Sequence, residues 1–138
     1  MLVHGTCVNI AGAGVLLRGP SGSGKSDLAL RLIDSGAQLV ADDQVNLTNE
    51  HGNLLARAPA ALAGLLEVRG LGLVRVEYVE QASIHMVVDL CPAEAVVRMP
   101  EAQHTDLEGI SVALIRIAPM EASAPSKIRI ALRHRIHV

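Results

Sequence analysis

Gly19-Pro20-Ser21-Gly22-Ser23-Gly24-Lys25-Ser26 decides the fold of this chain. It fits G-x-x-x-x-G-K-[ST], a loop that cradles phosphate groups. The flanks suit it. Val15-Leu16-Leu17 before it is a short apolar run, as a buried strand would be. After it, Leu28, Ala29, Leu32 and Ile33 recur at helical spacing, with Asp27, Arg31 and Asp34 on the other side. Gly36 follows where such a helix would stop. Gly19, Gly22 and Gly24 allow the tight turn that aims backbone N–H groups at an anion, and the helix start adds partial positive charge. Lys25 would neutralise the β and γ phosphates and the Ser26 hydroxyl would ligate Mg²⁺. A Gly/Ser-rich turn before an ordinary core helix is the bland alternative, and both flanks argue against it.

Working outward, residues 2–10 predict a strand with Thr6, Val8 and Ile10 on one face, turned by Ala11–Gly14 into Val15–Leu17, so that an N-terminal hairpin feeds the loop. Beyond the helix at 24–35, Gln38–Ala41 reads as a strand ending in Asp42-Asp43. Val45 and Leu47 alternate with polar residues in a further strand, which Leu54–Ala58 can pair with. Residues 58–66 read as a turn or short helix, Arg69–Gly72 as a flexible segment before Leu73–Val76, and 84–90 as a buried strand. Pro92–Gly109 reads as a polar loop and Ile110–Ile117 as a strand ended by Pro119. Residues 126–138 fit a strand or a helix. Pro125 before Ser126, taken as the cap, favours the helix.

The totals bound the function. The chain has 138 residues, half of them apolar, and these are expected to form a single domain, 1–138, with an aliphatic core, since Tyr78 is its sole aromatic. A net charge of −2 argues against nucleic acid, which needs clustered excess Lys and Arg. No apolar run reaches membrane-spanning length and the start lacks signal-peptide features, so a cytoplasmic protein is expected. Cys7 and Cys91 fit no zinc or disulfide spacing, as suits a reducing compartment.

Asp42-Asp43 forms a second chemical centre. An acidic residue at a strand end one helix after a phosphate loop commonly serves Mg²⁺, and neighbouring strand-end residues point opposite ways. One carboxylate could serve the metal while the other faces an acceptor hydroxyl as general base. A plain Asp turn is the alternative. In Glu67-Val-Arg69-Gly-Leu-Gly72, Glu67 could add a metal ligand and Arg69 a phosphate contact, or both could lie on a solvated strand face.

Val3-His4-Gly5-Thr6, the Gly19–Ser26 loop, Leu39-Val-Ala-Asp-Asp43 and Glu67–Gly72 occur in the order of the bacterial HPr kinase/phosphorylase family, which residues 3–90 resemble. The resemblance implies an α/β P-loop fold like that of HPr kinase and phosphoenolpyruvate carboxykinase, with a mixed sheet, a phosphate-loop helix and a C-terminal helix. It also implies the short, catalytic-domain form. The implied enzyme phosphorylates a serine of the phosphocarrier HPr with ATP and Mg²⁺; in reverse it uses inorganic phosphate and releases pyrophosphate. By this resemblance His4 and Lys25 are active-site residues, Asp43 is the base with Asp42 in support, and Ser26 and Glu67 bind Mg²⁺. Which Asp is the base stays open at this point. A hexamer is implied as well.

The last third departs from the family pattern. Val97-Arg98-Met-Pro100 is the nearest match to a Tyr-x-Arg-Leu-Gly segment, which nominates Arg98 as catalytic. Pro125-Ser-Lys127-Ile128 keeps only the Pro and a basic residue of a Pro-Gly-Arg-Asn segment tied to dephosphorylation, and Lys does not copy a bidentate Arg contact. Lys127, Arg129, Arg133 and Arg135 form a basic tail, either a solvated helix face or a grip on the protein substrate. Two other classes compete: another small P-loop phosphotransferase or NTPase, and a catalytically silent nucleotide sensor. No L-S-G-G-Q or N-K-x-D stretch points to an ABC ATPase or a GTPase, and the chain is short for a phosphoenolpyruvate carboxykinase.

Overall fold

The computed structural model describes residues 1–134. The strands are β1 (Leu2–His4), β2 (Thr6–Ile10), β3 (Ala13–Arg18), β4 (Gln38–Ala41), β5 (Gln44–Glu50), β6 (Asn53–Arg57), β7 (Leu65–Val68), β8 (Gly72–Arg75), β9 (Ala82–Leu90), β10 (Gln103–Leu107) and β11 (Ile110–Ile117). The helices are α1 (Lys25–Asp34) and α2 (Ala124–Arg133), with short 3₁₀ turns at Ala60–Leu62 and Ala93–Ala95. None of the described helices is long and apolar enough to cross a membrane.

Nine strands form one curled mixed sheet, in which β9 is the branch point. β3 and β11 flank it in parallel, while its first residues, Ala82 and Ser83, pair antiparallel with β6. From β3 the sheet continues through β2 to β4, and from β6 it folds over through β5 to β1. Each face has its own aliphatic core. Val15, Leu17, Val88 and Ile117 meet Leu28 and Leu32 of α1 and Ile128 of α2 on one side. Leu16, Val40 and Val87 meet Val45, Leu47 and Leu54 of the folded-over strands on the other. Alternation along β3 sends Leu17 to the first core and Leu16 to the second, so a strand buried on both faces reads as a continuous apolar run.

The expected single strand at 2–10 is two strands. The chain turns a corner at Gly5, where a Cβ would stand 2.9 Å from the Leu17 carbonyl oxygen and the amide instead donates to Asp43 O at 3.1 Å. β1 therefore pairs with β5 and β2 with β3 and β4. The β2–β3 hairpin turns at Ala11 and Gly12, both at positive φ, and Gly14 lies inside β3. Pro92–Gly109 is not all loop, because β10 pairs antiparallel with β11 around Glu108-Gly109. Only Leu107 of β10 is buried, so this edge strand has no apolar alternation to announce it. Arg69–Gly72 is the tight end of the β7–β8 hairpin, with Gly70 and Gly72 at positive φ.

The C-terminal segment is helical, but it starts earlier than Ser126. Ser123 precedes the first turn and Pro125 sits within it, where its missing N–H costs nothing. Arg135, Ile136 and Val138 lie outside the described residues.

Candidate active site

The ends of β3, β4, β9 and β11 and the start of β2 share one edge of the sheet, since β2 runs antiparallel to β3 and β4 while β9 and β11 run with β3. A cavity of about 700 Å³ opens there. It is lined by His4, Thr6, Ser21–Asp27, Asp43, Glu67 and Arg69, among others.

Gly19 to Gly24 wraps the start of α1, with Gly22 and Gly24 at φ 79° and 101°. No side chain caps this helix, and its first intrahelical bond is Leu28 N–H to Gly24 O at 2.9 Å. The N–H groups of Lys25, Ser26 and Asp27 thus precede the helical ladder and form an anion site together with the helix dipole. Lys25, 7 % exposed, bends back so that Nζ donates to Gly19 O at 2.7 Å and Pro20 O at 3.0 Å. Burial holds its pKa below the usual lysine value, while Asp43 and Asp42 oppose the shift. A phosphate would supply the counter-charge that the carbonyls only imitate.

The two neighbouring carboxylates have different surroundings. Asp42 is buried. Its Oδ1 accepts from Ser26 Oγ and from Thr6 Oγ1, both at 2.8 Å, and its Oδ2 accepts from the Glu67 amide at 2.9 Å. One carboxylate thereby ties together the loop helix, β2 and β7. Asp43 takes φ 71°, a left-handed conformation that Asp tolerates better than most residues, and the chain reverses there from β4 into β5. Its side chain, 67 % exposed, points into the cavity and meets His4 Nε2 at 3.2 Å. The expected divergence of the pair is present, and the left-handed backbone at Asp43 accompanies it.

Ser26 and Glu67 both line the cavity, Ser26 through a hydroxyl bonded to Asp42 and Glu67 next to its own amide contact with Asp42. Among the described residues no three His, Cys, Asp or Glu side chains gather closely enough to hold a metal alone. A hydroxyl and one or two carboxylates fit Mg²⁺, which keeps waters and takes the remaining oxygens from phosphates.

His4, Lys25, Ser26, Asp42, Asp43, Glu67 and the 19–26 loop come together as expected, and Arg69 stands on the cavity wall. Arg98 does not join them. After β9 the chain turns at Pro92 and runs back over the sheet. Val97 and Pro100 beside Arg98 border a separate depression with Ala13 and His85, near the opposite ends of β3 and β9. Lys127 is also off the cavity and pairs with Glu121 at 3.4 Å. Arg129 is tied down, donating to Leu32 O and Ser35 O at the end of α1. Thr6, fully buried, belongs to the site although no spacing rule singled it out. The signal available was a hydroxyl two residues after His4 at the head of an apolar strand.

Residues 1–128 match the family model "HPr Serine kinase C-terminal domain". The chain is 47% identical over 74 residues to an HPr kinase/phosphorylase of Clostridium beijerinckii, a segment covering 54% of this chain and 24% of that protein. It is 51% identical over 75 residues to the HPr kinase/phosphorylase of Halalkalibacterium halodurans, with the same coverage of 54% and 24%. The matched segment thus spans about a quarter of the length of these curated relatives. In three dimensions the chain resembles the Hpr(Ser) kinase/phosphatase of Coxiella burnetii, with a TM-score of 0.86 and 29% identity over 96% of this chain and 94% of that one.

Proposed function

The chain belongs to the HPr Serine kinase C-terminal domain family, and from that premise we propose that it transfers the γ-phosphoryl group of ATP to a serine of the phosphocarrier protein HPr. The observation that carries the proposal is the division of labour between adjacent carboxylates: Asp42 is buried and held by three donors inside the protein, while Asp43 is open to the cavity. A carboxylate held by three donors organises its neighbours. An exposed one, within reach of an incoming hydroxyl, can accept a proton.

Asp43 therefore serves as the base that takes the serine proton, and His4 holds its carboxylate toward the cavity. Lys25 leaves the Gly19 and Pro20 carbonyls to balance the β and γ phosphates, whose oxygens the loop N–H groups receive. Ser26 and Glu67 would hold Mg²⁺, with Asp42 orienting the Ser26 hydroxyl and the Glu67 backbone. When bound, Mg²⁺ would supply neutralisation of phosphate charge. In the reverse direction Asp43, protonated, returns its proton to the serine oxygen as inorganic phosphate takes the phosphoryl group, releasing pyrophosphate. We further propose that residues 1–138 act as one catalytic unit in the cytoplasm, assembled as a hexamer.

The test is transfer from γ-labelled ATP to HPr with Mg²⁺, followed by addition of phosphate. Label on a serine of HPr is expected, and labelled pyrophosphate after phosphate addition would extend the activity to phosphorolysis. ATP binding without any labelled HPr would overturn the kinase proposal in favour of another acceptor or a silent sensor.

A further inference from the structure

We infer that Met120 is the shelf on which the nucleotide base rests, an inference that stands on the kinase proposal above. β4, β2, β3, β9 and β11 lie side by side in that order. Asp43 follows β4, two strands to one side of the phosphate loop, which follows β3. Pro119 and Met120 follow β11, two strands to the other side. With strands about 4.8 Å apart, the ends of β4 and β11 each lie roughly 10 Å from the end of β3, and from the β11 side the Pro119-Met120 turn reaches back to Gly24 at the start of α1. A nucleoside triphosphate with its γ-phosphate toward Asp43 and its β-phosphate over the start of α1 has to lead its ribose and base away from Asp43. That direction ends at Met120.

The side chain there is free and its backbone is held. Met120 lines the same cavity and is 78% exposed. Its Sδ lies 3.7 Å from where a Cβ on Gly24 would stand, and Pro119 Cβ lies 3.4 Å from that point. Arg31, itself paired with Asp27, donates to the carbonyls of Pro119 and Glu121 and braces the turn against α1. The other large apolar side chains of the cavity, Leu30 and Val68, are partly buried against the core around α1, with Val68 beside Glu67. They leave less surface to a ligand. A thioether is polarisable and packs well on aromatic rings, while it is only a weak hydrogen-bond acceptor. It reads the face of a purine and not its edge, so ATP and GTP should bind alike.

Calorimetric titration of Mg-ATP, Mg-GTP and Mg-tripolyphosphate into the full chain and its Met120→Ala and Met120→Leu variants tests this. Met120→Ala should weaken both nucleotides by roughly three- to tenfold and leave tripolyphosphate, which has no base, unchanged. Met120→Leu should fall between the wild type and Met120→Ala. Unchanged nucleotide affinity, or equal weakening of all three ligands, would overturn the shelf. Tripolyphosphate binding as tightly as ATP to the wild type would overturn it too, while sparing the phosphate loop. If the wild type bound none of the three, the nucleotide site itself would fall, and the shelf with it.

Discussion

Asp42 and Asp43 are chemically identical neighbours whose surroundings separate them, and substitutions should separate them too. Asp43→Asn removes the proposed proton acceptor while keeping size and exposure. Turnover on HPr should fall by about 10²–10⁴-fold, the usual worth of a general base, with ATP affinity preserved. Turnover within a few-fold of wild type would move the base elsewhere. Thr6 acts one bond further back. Thr6→Val keeps the shape of a fully buried side chain but removes one of the two hydroxyl donors to Asp42 Oδ1. A stability loss of about 1 kcal/mol is expected, because the carboxylate keeps its other partners. The Mg²⁺ requirement of turnover should rise by roughly 10- to 100-fold, the range for residues that orient metal ligands. A Mg²⁺ titration identical to wild type would leave Thr6 a packing residue only. Cys7 marks the contrast with a functional polar group: burial pushes its thiol up to about 12, which suits a small core hydrophobe.

At the scale of elements, the C-terminal half of α1 is tied to segments distant in sequence. Arg31 ties its flank to the turn after β11, and Arg129 of α2 donates to Leu32 O at 3.1 Å and Ser35 O at 3.0 Å, at the negative end of the helix dipole. Arg129 of the basic tail is thus engaged within the protein. Arg129→Ala should cost about 1–2 kcal/mol of stability through lost charge-assisted bonds and dipole compensation. Per-molecule kinase activity should persist below the lowered melting point. Lost HPr phosphorylation with unchanged Tm would restore the substrate-grip role. α1 and its loop were legible because glycines, a lysine and a 3.6-residue period occur together in one short stretch. β10 was not, since an edge strand needs partners rather than apolar alternation. Nor was the break at Gly5, because the oxygen that a Cβ would meet belongs to Leu17, across the hairpin. Arg98 stands away from this cavity for a related reason: a local motif match says nothing of which way the chain runs after β9.

Over the whole molecule, the candidate site draws on the ends of strands whose neighbours are set by pairing. Ser26, Thr6 and Glu67 converge on Asp42 across sequence separations of 16, 36 and 25 residues. The pieces could be named in the chain, but their common edge follows from β2 running against β3 and β4 and from β9 joining three neighbours. A ligand that fills this edge bridges elements from both halves of the fold, so its binding energy should appear as stability of the whole cooperative unit. Mg-ATP at about 100 times its Kd should add roughly 2.7 kcal/mol, a rise in Tm on the order of 5–10 °C for a domain of this size. Asp43→Asn should keep that shift, because the proposed role of Asp43 is toward the acceptor. Lys25→Ala should lose most of it, because Lys25 is the charge that leaves its own loop carbonyls for the phosphates. A full shift in Lys25→Ala, followed by differential scanning calorimetry with and without Mg-ATP, would mean that the backbone cradle alone binds the phosphates. A lost shift in Asp43→Asn would place that carboxylate on the nucleotide rather than on the acceptor.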